Sequence, residues 1–232
     1  MAEGFGLSPD PLRSVVCRVL LRLPHRSNWS EYPNIWDEVI GLIETCQWYR
    51  VYDIAEAVWD ALTRRQPRDA AQFEQELNKV FIEHGIGWQM IKGQILAREE
   101  EATEKVVEQA VQALDDSEYA SAARELREAR LDLSRRPDPD LTGCLHHCMA
   151  ALECLCRELS GQPKLTLGEI LKQHNSELSI PKPLDEAIIK AWGYASEVVR
   201  HVAEGKSPGR NEVTLVLGMV ASIITYLMAD AD

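Results

Sequence analysis

The C-terminal end of the chain restricts the fold most strongly, because two apolar helical patterns follow one another there. In the first, apolar residues recur at steps of three and four, which predicts an amphipathic helix packed against a core. That stripe consists of Leu184, Ile188, Trp192, Ala195, Val199 and Val202. A polar turn follows over Lys206–Asn211, and Val213–Ala229 is almost entirely apolar. A chain that ends in this way needs further helices to bury both apolar surfaces.

The end of the first of these helices carries the best candidate for chemistry. Arg200 and His201 are adjacent in its last turn, with Arg200 opposite the apolar stripe and His201 at its edge. The helix dipole also favours positive side chains there, and Glu197 and Glu204 are spaced to form ordinary surface pairs with them. The spacing is therefore compatible with a functional pair, but by itself it favours a solvated helix end.

Charge and cysteine content narrow the classes of function. The 232 residues include 25 Lys and Arg against 37 Asp and Glu, so the net charge is -12. Phosphate contacts need a basic surface, so this balance argues against broad nucleic-acid binding but allows RNA held by a local basic patch. Met1–Pro11 lacks the basic and apolar segments of a secretory signal, so the six cysteines indicate reduced thiols and a cytoplasmic protein.

Val213–Ala229 is the candidate transmembrane segment of this sequence. It is slightly shorter than the roughly 20 residues that a span needs, and it carries the hydroxyl groups of two threonines, a serine and a tyrosine. We therefore expect a buried core helix and no membrane association.

Four helices and one hairpin are predicted in the first hundred residues. Caps and breaks bound helices over Pro11–Leu23, Ile35–Gln47, Tyr49–Thr63 and Ala70–His84. Residues 86–96 differ, because β-branched and aromatic residues there flank the dipeptide Lys92-Gly93. That pattern predicts a short β-hairpin in which Gly93 has a positive φ and which packs on neighbouring helices for stability.

The remaining chain is predicted to form antiparallel helices with short connections. These are Glu104–Leu114, Tyr119–Leu133, Leu141–Leu159, Gly168–Leu178, Pro183–Glu204 and Asn211–Met228. The Glu-rich run Arg98–Lys105 is the candidate domain junction, although it also fits the solvated start of a helix. The fold class is thus mainly α, with an N-terminal helical domain carrying one short β-hairpin over residues 1–103 and a C-terminal helical bundle over 104–232.

Two side-chain clusters in the bundle have both a functional and a structural interpretation. Cys144, His147 and Cys148 fall close together on one helix, but a closed zinc site needs four ligands, and free cysteine behaves as a small core residue. We therefore predict no metal and no cofactor. Arg127 and Arg130 lie in the most basic stretch and are candidates for RNA contact, although interleaved glutamates favour a solvated face of ion pairs.

Two parts of the chain resemble known families. The first part consists of Phe73, Glu74, Leu77, Asn78, Phe81, Glu83, Gly85, Ile86, Gly87 and Trp88, followed by Lys92, Gly93 and Ile95. This run resembles the N-terminal domain of AbiJ-type bacterial abortive-infection proteins. The second half is similar to the helical HEPN-like domain that commonly follows, through Ala150–Glu153, Leu167-Gly168 and Gly193–Ser196, which lead to Arg200-His201. The resemblance covers about residues 10–228.

The resemblance implies an activity and a site. HEPN-like domains are typically metal-independent ribonucleases that act as homodimers, in which the 2′-hydroxyl of the RNA attacks the adjacent phosphate. By this resemblance Arg200 stabilises the charged transition state, while His201 moves a proton or positions the RNA. Lys206 and Arg210 are then expected to add RNA-binding charge beside them, and dimerisation is expected through the C-terminal half.

The sequence departs from the usual motif at one position. The motif has a histidine after four to six residues beyond the arginine, and Gly205, Lys206 and Ser207 occupy those positions here. Three hypotheses stay open. The chain is an RNA-cleaving effector of anti-phage defence, or a non-catalytic HEPN-like module that binds a defence-system partner protein or a nucleotide, or a scaffold or neutralising partner of a toxin.

Overall fold

The fold is mainly α with one two-stranded hairpin, which confirms the predicted fold class. The computed structural model describes residues 6–117, 119–200 and 207–229, and only the backbone of Val199 and Arg200. Its contacts divide the chain into two units, Met1–Ala97 and Arg98–Asp232. The domain boundary at 103/104, which was inferred from composition and resemblance, stays a prediction.

Within residues 6–97 of the N-terminal unit, four helices precede the hairpin. The elements are α1 (Pro9–Leu20), an irregular turn (Glu31–Ile35), α2 (Trp36–Thr45), α3 (Trp48–Arg65), α4 (Pro67–Glu83), β1 (Trp88–Ile91) and β2 (Gln94–Ala97). Pro9 and Pro67 occupy the first turns of their helices, where the missing N–H has no helical partner to lose. Helix α1 therefore begins two residues before the predicted Pro11, and α4 begins at Pro67, three residues before the predicted Ala70.

The core of this unit lies where α1, α3 and α4 meet under the hairpin. Its buried apolar side chains are Leu7, Leu12, Val15, Val16, Val39, Ile54, Val58, Leu62, Ala70, Phe73, Phe81, Met90 and Ile95. Tyr52 extends the core toward the hairpin, because its ring centroid lies 5.9 Å from that of Phe81 and 5.4 Å from that of Trp88. The hairpin thus has the apolar support that an isolated pair of strands lacks.

The turn of the hairpin contains two residues with positive φ. Lys92 has φ 50° and Gly93 has φ 82°, the pattern of the mirror-image turns that match the twist of paired strands. Gly93 also lies against the indole of Trp59, so a Cβ at this position would fall 2.6 Å from Cδ2 of that ring. Glycine is required here by the backbone conformation and by the contact with Trp59.

Polar side chains from two helices close the edges of the hairpin. Met90 and Ile95 form the pair whose backbone groups point away from the partner strand. On the outer side of β1, the Asn78 side chain donates to the Met90 carbonyl oxygen and accepts from the Met90 N–H, both at 2.7 Å. On β2, Glu56 accepts from the Ile95 N–H at 2.7 Å. Neither edge is left open to another strand at this pair.

The tip of the hairpin is held in the same way. The carboxylate of Glu74 on α4 accepts the backbone N–H groups of Lys92 and Gly93, each at 3.1 Å. Glu74, Asn78 and the turn residues all belong to the run that carries the family resemblance. In this structure that run fixes the hairpin onto α4.

The C-terminal unit is built from helices. They are α5 (Glu101–Asp116), α6 (Ala120–Leu133), α7 (Leu141–Ser160), α8 (Leu167–Gln173), α9 (Asn175–Leu178), α10 (Leu184–Arg200) and α11 (Arg210–Ala229). The single helix predicted over Gly168–Leu178 is wrong, because His174 leaves helical geometry (φ −127°, ψ 24°) between α8 and α9. The Asn175 side chain then donates to the Ile180 carbonyl at 2.7 Å, which fixes the chain after α9.

Helix α7 lies at the centre of this unit and packs against α6, α8, α10 and α11. Ile188 and Ala195 are buried, as the apolar stripe of α10 predicts, but Leu184 is 44% exposed, because it is the first residue of α10 and precedes the turn that meets the core. The apolar residues of α11 that enter the core are Val213, Val216, Leu217, Val220, Ala221, Ile223, Ile224, Leu227 and Met228. By length and composition α11 could also cross a membrane, a property that core helices share.

Candidate functional site

The predicted catalytic pair lies at the limit of what the structure describes. Arg200 is the last described residue of α10, and only its backbone is described. His201 and Lys206 fall wholly outside the described residues. The position of Ser196 is described, one helical turn before Arg200 on the same helix.

Arg210 is described and is held in an ion pair. Its guanidinium lies 2.6 Å from Oε1 of Glu99, and Oε2 of the same carboxylate accepts from the Thr214 hydroxyl at 3.2 Å. These contacts tie the start of α11 to the segment before α5. An RNA phosphate at Arg210 has to compete with Glu99.

The arginine face of α6 consists partly of ion pairs. Arg127 pairs with Asp115 on α5, and Arg124 lies 3.3 Å from the Glu125 carboxylate. Arg130 is half-buried. A phosphate at Arg127 has to displace a carboxylate, which weakens the electrostatic gain of binding there.

An open cavity of about 380 Å³ lies between α7 and α10, and we call it the α7–α10 groove. Ligand pockets in proteins commonly have volumes of about 300–1,000 Å³. The groove is lined by Leu145, His146, Met149, Ala150, Glu153, Trp192, Ala195 and Ser196. It thus combines an aromatic ring and apolar side chains with an imidazole, a carboxylate and a hydroxyl.

The direction of the groove follows from contacts at one end. The Glu153 carboxylate accepts the N–H of Leu167 at 2.9 Å, and the next residue, Gly168, lies so close to Trp192 that a Cβ there would be 3.1 Å from its ring. Glu153 and Trp192 therefore share one end of the groove. Because α7 continues from there back to His146, while α10 continues forward to Ser196, the two helices run antiparallel along it.

It follows that His146 lies at the end of the groove nearest the last turn of α10. This histidine is exposed, and its ring centroid lies 5.3 Å from that of His147 in an edge-on arrangement. The sequence analysis did not select His146, Trp192, Glu153 or Ser196 for function. Residues 146, 149, 150 and 153 have the spacing of one helix face, but only the packing shows that α10 faces them.

A separate polar cluster joins α6 to α7. Nδ1 of His147 lies 2.7 Å from the Glu125 carboxylate, and Nε2 lies 3.6 Å from that of Asp132, so both ring nitrogens face carboxylates. Burial opposes ionisation of Glu125, but hydrogen bonds from His147 and Arg124 hold the pKa of this carboxyl below its ordinary value. Burial raises the pKa of Asp132 despite the nearby charge of Arg135.

The cysteines beside this cluster belong to the core. Cys144 and Cys148 are buried, and their mutual hydrogen bond together with burial raises the pKa of Cys148 well above its ordinary value. Burial raises the pKa of Cys156 to about 12. Thiols of this kind stay protonated at neutral pH and are poor nucleophiles and poor metal ligands. Within residues 6–117, 119–200 and 207–229, no three His, Cys, Asp or Glu side chains are grouped to hold a metal ion.

A second cavity, of about 400 Å³, lies between α8 and the first half of α10. Lys172, Lys182 and Lys190 line it together with Asp185 and Glu186. None of the three lysines has an ion-pair partner within the described part of the chain. We call this cavity the lysine cavity.

Comparison with known proteins identifies the first part of the chain. Residues 6–113 match the family model described as AbiJ N-terminal domain 4. This match supports an AbiJ-type protein, as the run around Asn78 and Gly93 predicts, and the matched segment includes the whole hairpin and most of α5. No curated protein and no solved structure matches the chain. The HEPN-like assignment of the second half stays a prediction.

Proposed function

We propose that this protein is a metal-independent endoribonuclease effector of abortive infection, which binds RNA in the α7–α10 groove and cleaves it at the end of α10. The observation that carries the proposal is the position of the groove. It occupies the face of α10 that contains Ser196, one turn before Arg200, and it is open to solvent. The match of residues 6–113 to an AbiJ N-terminal domain supports the link to abortive infection.

The lining of the groove suits a single-stranded RNA segment. Nucleobases stack on aromatic side chains, which contributes about 1–3 kcal/mol per base, and Trp192 offers such a ring. Ser196 and His146 supply polar groups for base edges or sugar hydroxyls. Because these contacts are local, they do not require a basic surface, and they are compatible with the net charge of -12.

The proposed reaction uses the 2′-hydroxyl of the RNA as the nucleophile. Its oxygen attacks the adjacent phosphorus, and negative charge builds on the phosphoryl oxygens in the transition state. Arg200 stabilises that charge, and His201 assists proton movement or positions the strand. A homodimer formed through the C-terminal half brings the ends of two α10 helices to one phosphodiester, with Lys206 beside it.

Cleavage of total bacterial RNA by the purified full-length chain tests this proposal. In EDTA we expect the wild type to release fragments that end in a 2′,3′-cyclic phosphate, and Arg200→Ala and His201→Ala each to lower the rate at least tenfold. Arg64→Ala, at an exposed ion pair on α3, is the matched control and keeps the wild-type rate. In cells, Arg200→Ala is expected to relieve any growth arrest at an unchanged soluble yield.

Three results would contradict this proposal. If the wild type leaves RNA intact, or if the Arg200→Ala, His201→Ala double variant cleaves as fast as the wild type, the ribonuclease assignment is wrong. Sedimentation of the wild type as a monomer at the concentration of the cleavage assay contradicts the dimeric site.

The lysine cavity favours a second candidate function, a non-catalytic module that binds a nucleotide. Three lysines around one cavity attract a phosphate group, while Asp185 is buried there and accepts the backbone N–H of Glu186 at 2.9 Å. This alternative expects intact RNA together with saturable binding of ATP by calorimetry. Lys172→Ala with Lys190→Ala is then expected to abolish that binding, whereas Lys79→Ala in the N-terminal unit leaves it unchanged.

A further inference from the structure

We infer that His146 of α7 is the proton acceptor for the 2′-hydroxyl in the α7–α10 groove, an inference that rests on the proposed ribonuclease function. This inference is supported by the position of His146, which lines the groove together with Ser196 and lies at the end toward the last turn of α10. The base and the arginine that stabilises charge then come from two different helices.

The reaction needs a base at this place. A 2′-hydroxyl is a weak nucleophile until its proton is removed, and a positioned side chain that accepts the proton accelerates such steps by about 10²–10⁴-fold. The base has to reach the sugar while the arginine reaches the phosphate of the same nucleotide. Of the side chains that line the groove, His146 lies at the end toward the last turn of α10, which is the position that this role needs.

The other titratable side chain that lines the groove, Glu153, and the neighbouring His147 are already engaged. Glu153 accepts the Leu167 N–H at 2.9 Å and lies 2.7 Å from the guanidinium of Arg157, at the far end of the groove. His147 has Glu125 and Asp132 at its two ring nitrogens. Neither of these groups is free to take a proton from a ligand in the groove.

His146 differs from both. Its side chain is exposed, and its ring nitrogens have no hydrogen-bond or ion-pair partner within the part of the chain that the structure describes. The nearby His147 ring meets it edge-on without a hydrogen bond between them. An imidazole that is open to the groove and has an unoccupied ring nitrogen can accept a proton from a bound ligand.

The step balances without a metal or another reactant. The neutral imidazole of His146 takes the proton as the 2′-oxygen bonds to phosphorus and the bond from phosphorus to the 5′-oxygen breaks. The departing 5′-oxygen takes a proton from water, and the imidazolium returns its proton to the resulting hydroxide. The products are a 2′,3′-cyclic phosphate and a 5′-hydroxyl.

The test compares kinetics on a short single-stranded RNA. For His146→Ala we expect kcat to fall by about 10²–10⁴-fold with KM changed less than threefold, and the fall in rate on the acid side of the pH profile to disappear. Added imidazole is expected to restore part of the rate in His146→Ala, which a purely structural role does not predict. His84→Ala, which removes an exposed histidine of the N-terminal unit, is the matched control and keeps the wild-type rate and pH profile.

The outcomes separate this inference from the proposed function. If the wild type cleaves and Arg200→Ala does not, while His146→Ala keeps the wild-type kcat and pH profile, His146 is not the base and the ribonuclease assignment stands. If the wild type does not cleave, both fail together. His146→Gln, which keeps a polar side chain of similar size, guards against a folding artefact. A loss of activity in His146→Gln at an unchanged melting temperature supports the inference, and full activity overturns it.

Discussion

The two units of this protein differ in how well their buried polar groups are hydrogen-bonded. In the N-terminal unit, Glu56, Glu74 and Asn78 satisfy backbone groups of the hairpin at 2.7–3.1 Å, so their role is to fix geometry. In the C-terminal unit, Asp132 is 1% exposed, and neither carboxylate oxygen has a well-aligned hydrogen bond from the described residues, although Arg135 Nε lies 2.8 Å away.

This difference predicts different responses to mutation. A backbone group that loses its partner in the N-terminal unit stays buried and unsatisfied, which is costly whatever the pH. A buried carboxylate in the C-terminal unit carries a cost that depends on its protonation. Five of the six tryptophans belong to the first unit, so tryptophan fluorescence reports mainly on its unfolding, whereas circular dichroism reports on the helices of both.

The largest effect is expected for Gly93→Ala. The new Cβ overlaps the Trp59 indole, and φ stays positive, so we expect a loss of about 2–4 kcal/mol in the free energy of unfolding. Urea denaturation followed by tryptophan fluorescence measures it. Gly87→Ala is the control and is expected to change stability by less than about 0.5 kcal/mol, because a Cβ there has open space. Equal stabilities for the two variants would contradict the close packing of the hairpin tip.

The second effect concerns the edge of β1. Asn78→Ala leaves the N–H and carbonyl of Met90 without partners in a site that is 1% exposed, and we expect a loss of about 2–3 kcal/mol. The loss is expected to be the same at pH 5 and pH 8, since no titratable group is involved. Gln72→Ala, which removes an exposed pair with Glu76 on the same helix, serves as the control. A loss below about 0.5 kcal/mol for Asn78→Ala would contradict the claim that Asn78 satisfies buried backbone groups of Met90.

The third prediction concerns Asp132 and the direction of its pH dependence. Because the folded-state pKa lies above the ordinary value of 3.8, folding binds a proton, and stability falls as the pH rises from that value through the folded-state pKa. At pH 7 the full free-energy cost of the raised Asp132 pKa opposes folding. Asp132→Asn is therefore expected to raise the free energy of unfolding at pH 7 by about 1 kcal/mol and to flatten its dependence on pH above 4.

Urea denaturation followed by circular dichroism between pH 4 and pH 7 measures this change. Asp138→Asn, an exposed position five residues from the end of α6, is the control and should leave the curve within about 0.5 kcal/mol of the wild type. A variant at Asp132 that is less stable than the wild type at pH 7 would show that the attraction to Arg135 outweighs burial.

The smallest effect is expected for Arg127→Ala. Its pair with Asp115 is partly exposed on both sides, so we expect a loss of at most about 0.5 kcal/mol, which 1 M salt should abolish. RNA affinity measured on the same variant sharpens the comparison. An unchanged affinity indicates that the arginine face of α6 is a structural pair, whereas a clear loss restores it as an RNA contact.

Periodic patterns predicted most of the helices, because an amphipathic stripe has few ways to bury itself. The hairpin was predicted for a different reason, since Lys92-Gly93 between β-branched and aromatic residues fits one class of turn. The wrong predictions fall at positions where the spacing of apolar residues does not determine the backbone conformation or the depth of burial. The stripe continues through His174, yet the chain leaves the helix there, and the apolar Leu184 begins α10 before the helix reaches the core.

The site was harder to predict than the fold. Arg200 and His201 were selected because they lie together in the last turn of a predicted helix and because of the family resemblance, and the structure describes neither side chain. His146 and Trp192 lie 46 positions apart in the sequence, and nothing in either helix alone indicates that they line one groove. The contact between Gly168 and Trp192, which sets the direction of the groove, depends on how α8 folds back onto α7.

The sequence by itself determined the helical character of the chain, its hairpin and the glycine at the hairpin tip, because these depend on local conformational preferences and on the spacing of apolar residues. Tertiary structure alone decided which side chains close the hairpin edges, that His147 faces two carboxylates, and that His146 faces α10. These facts depend on the register between helices, which arises from the packing of many side chains at once and is not encoded at any single position.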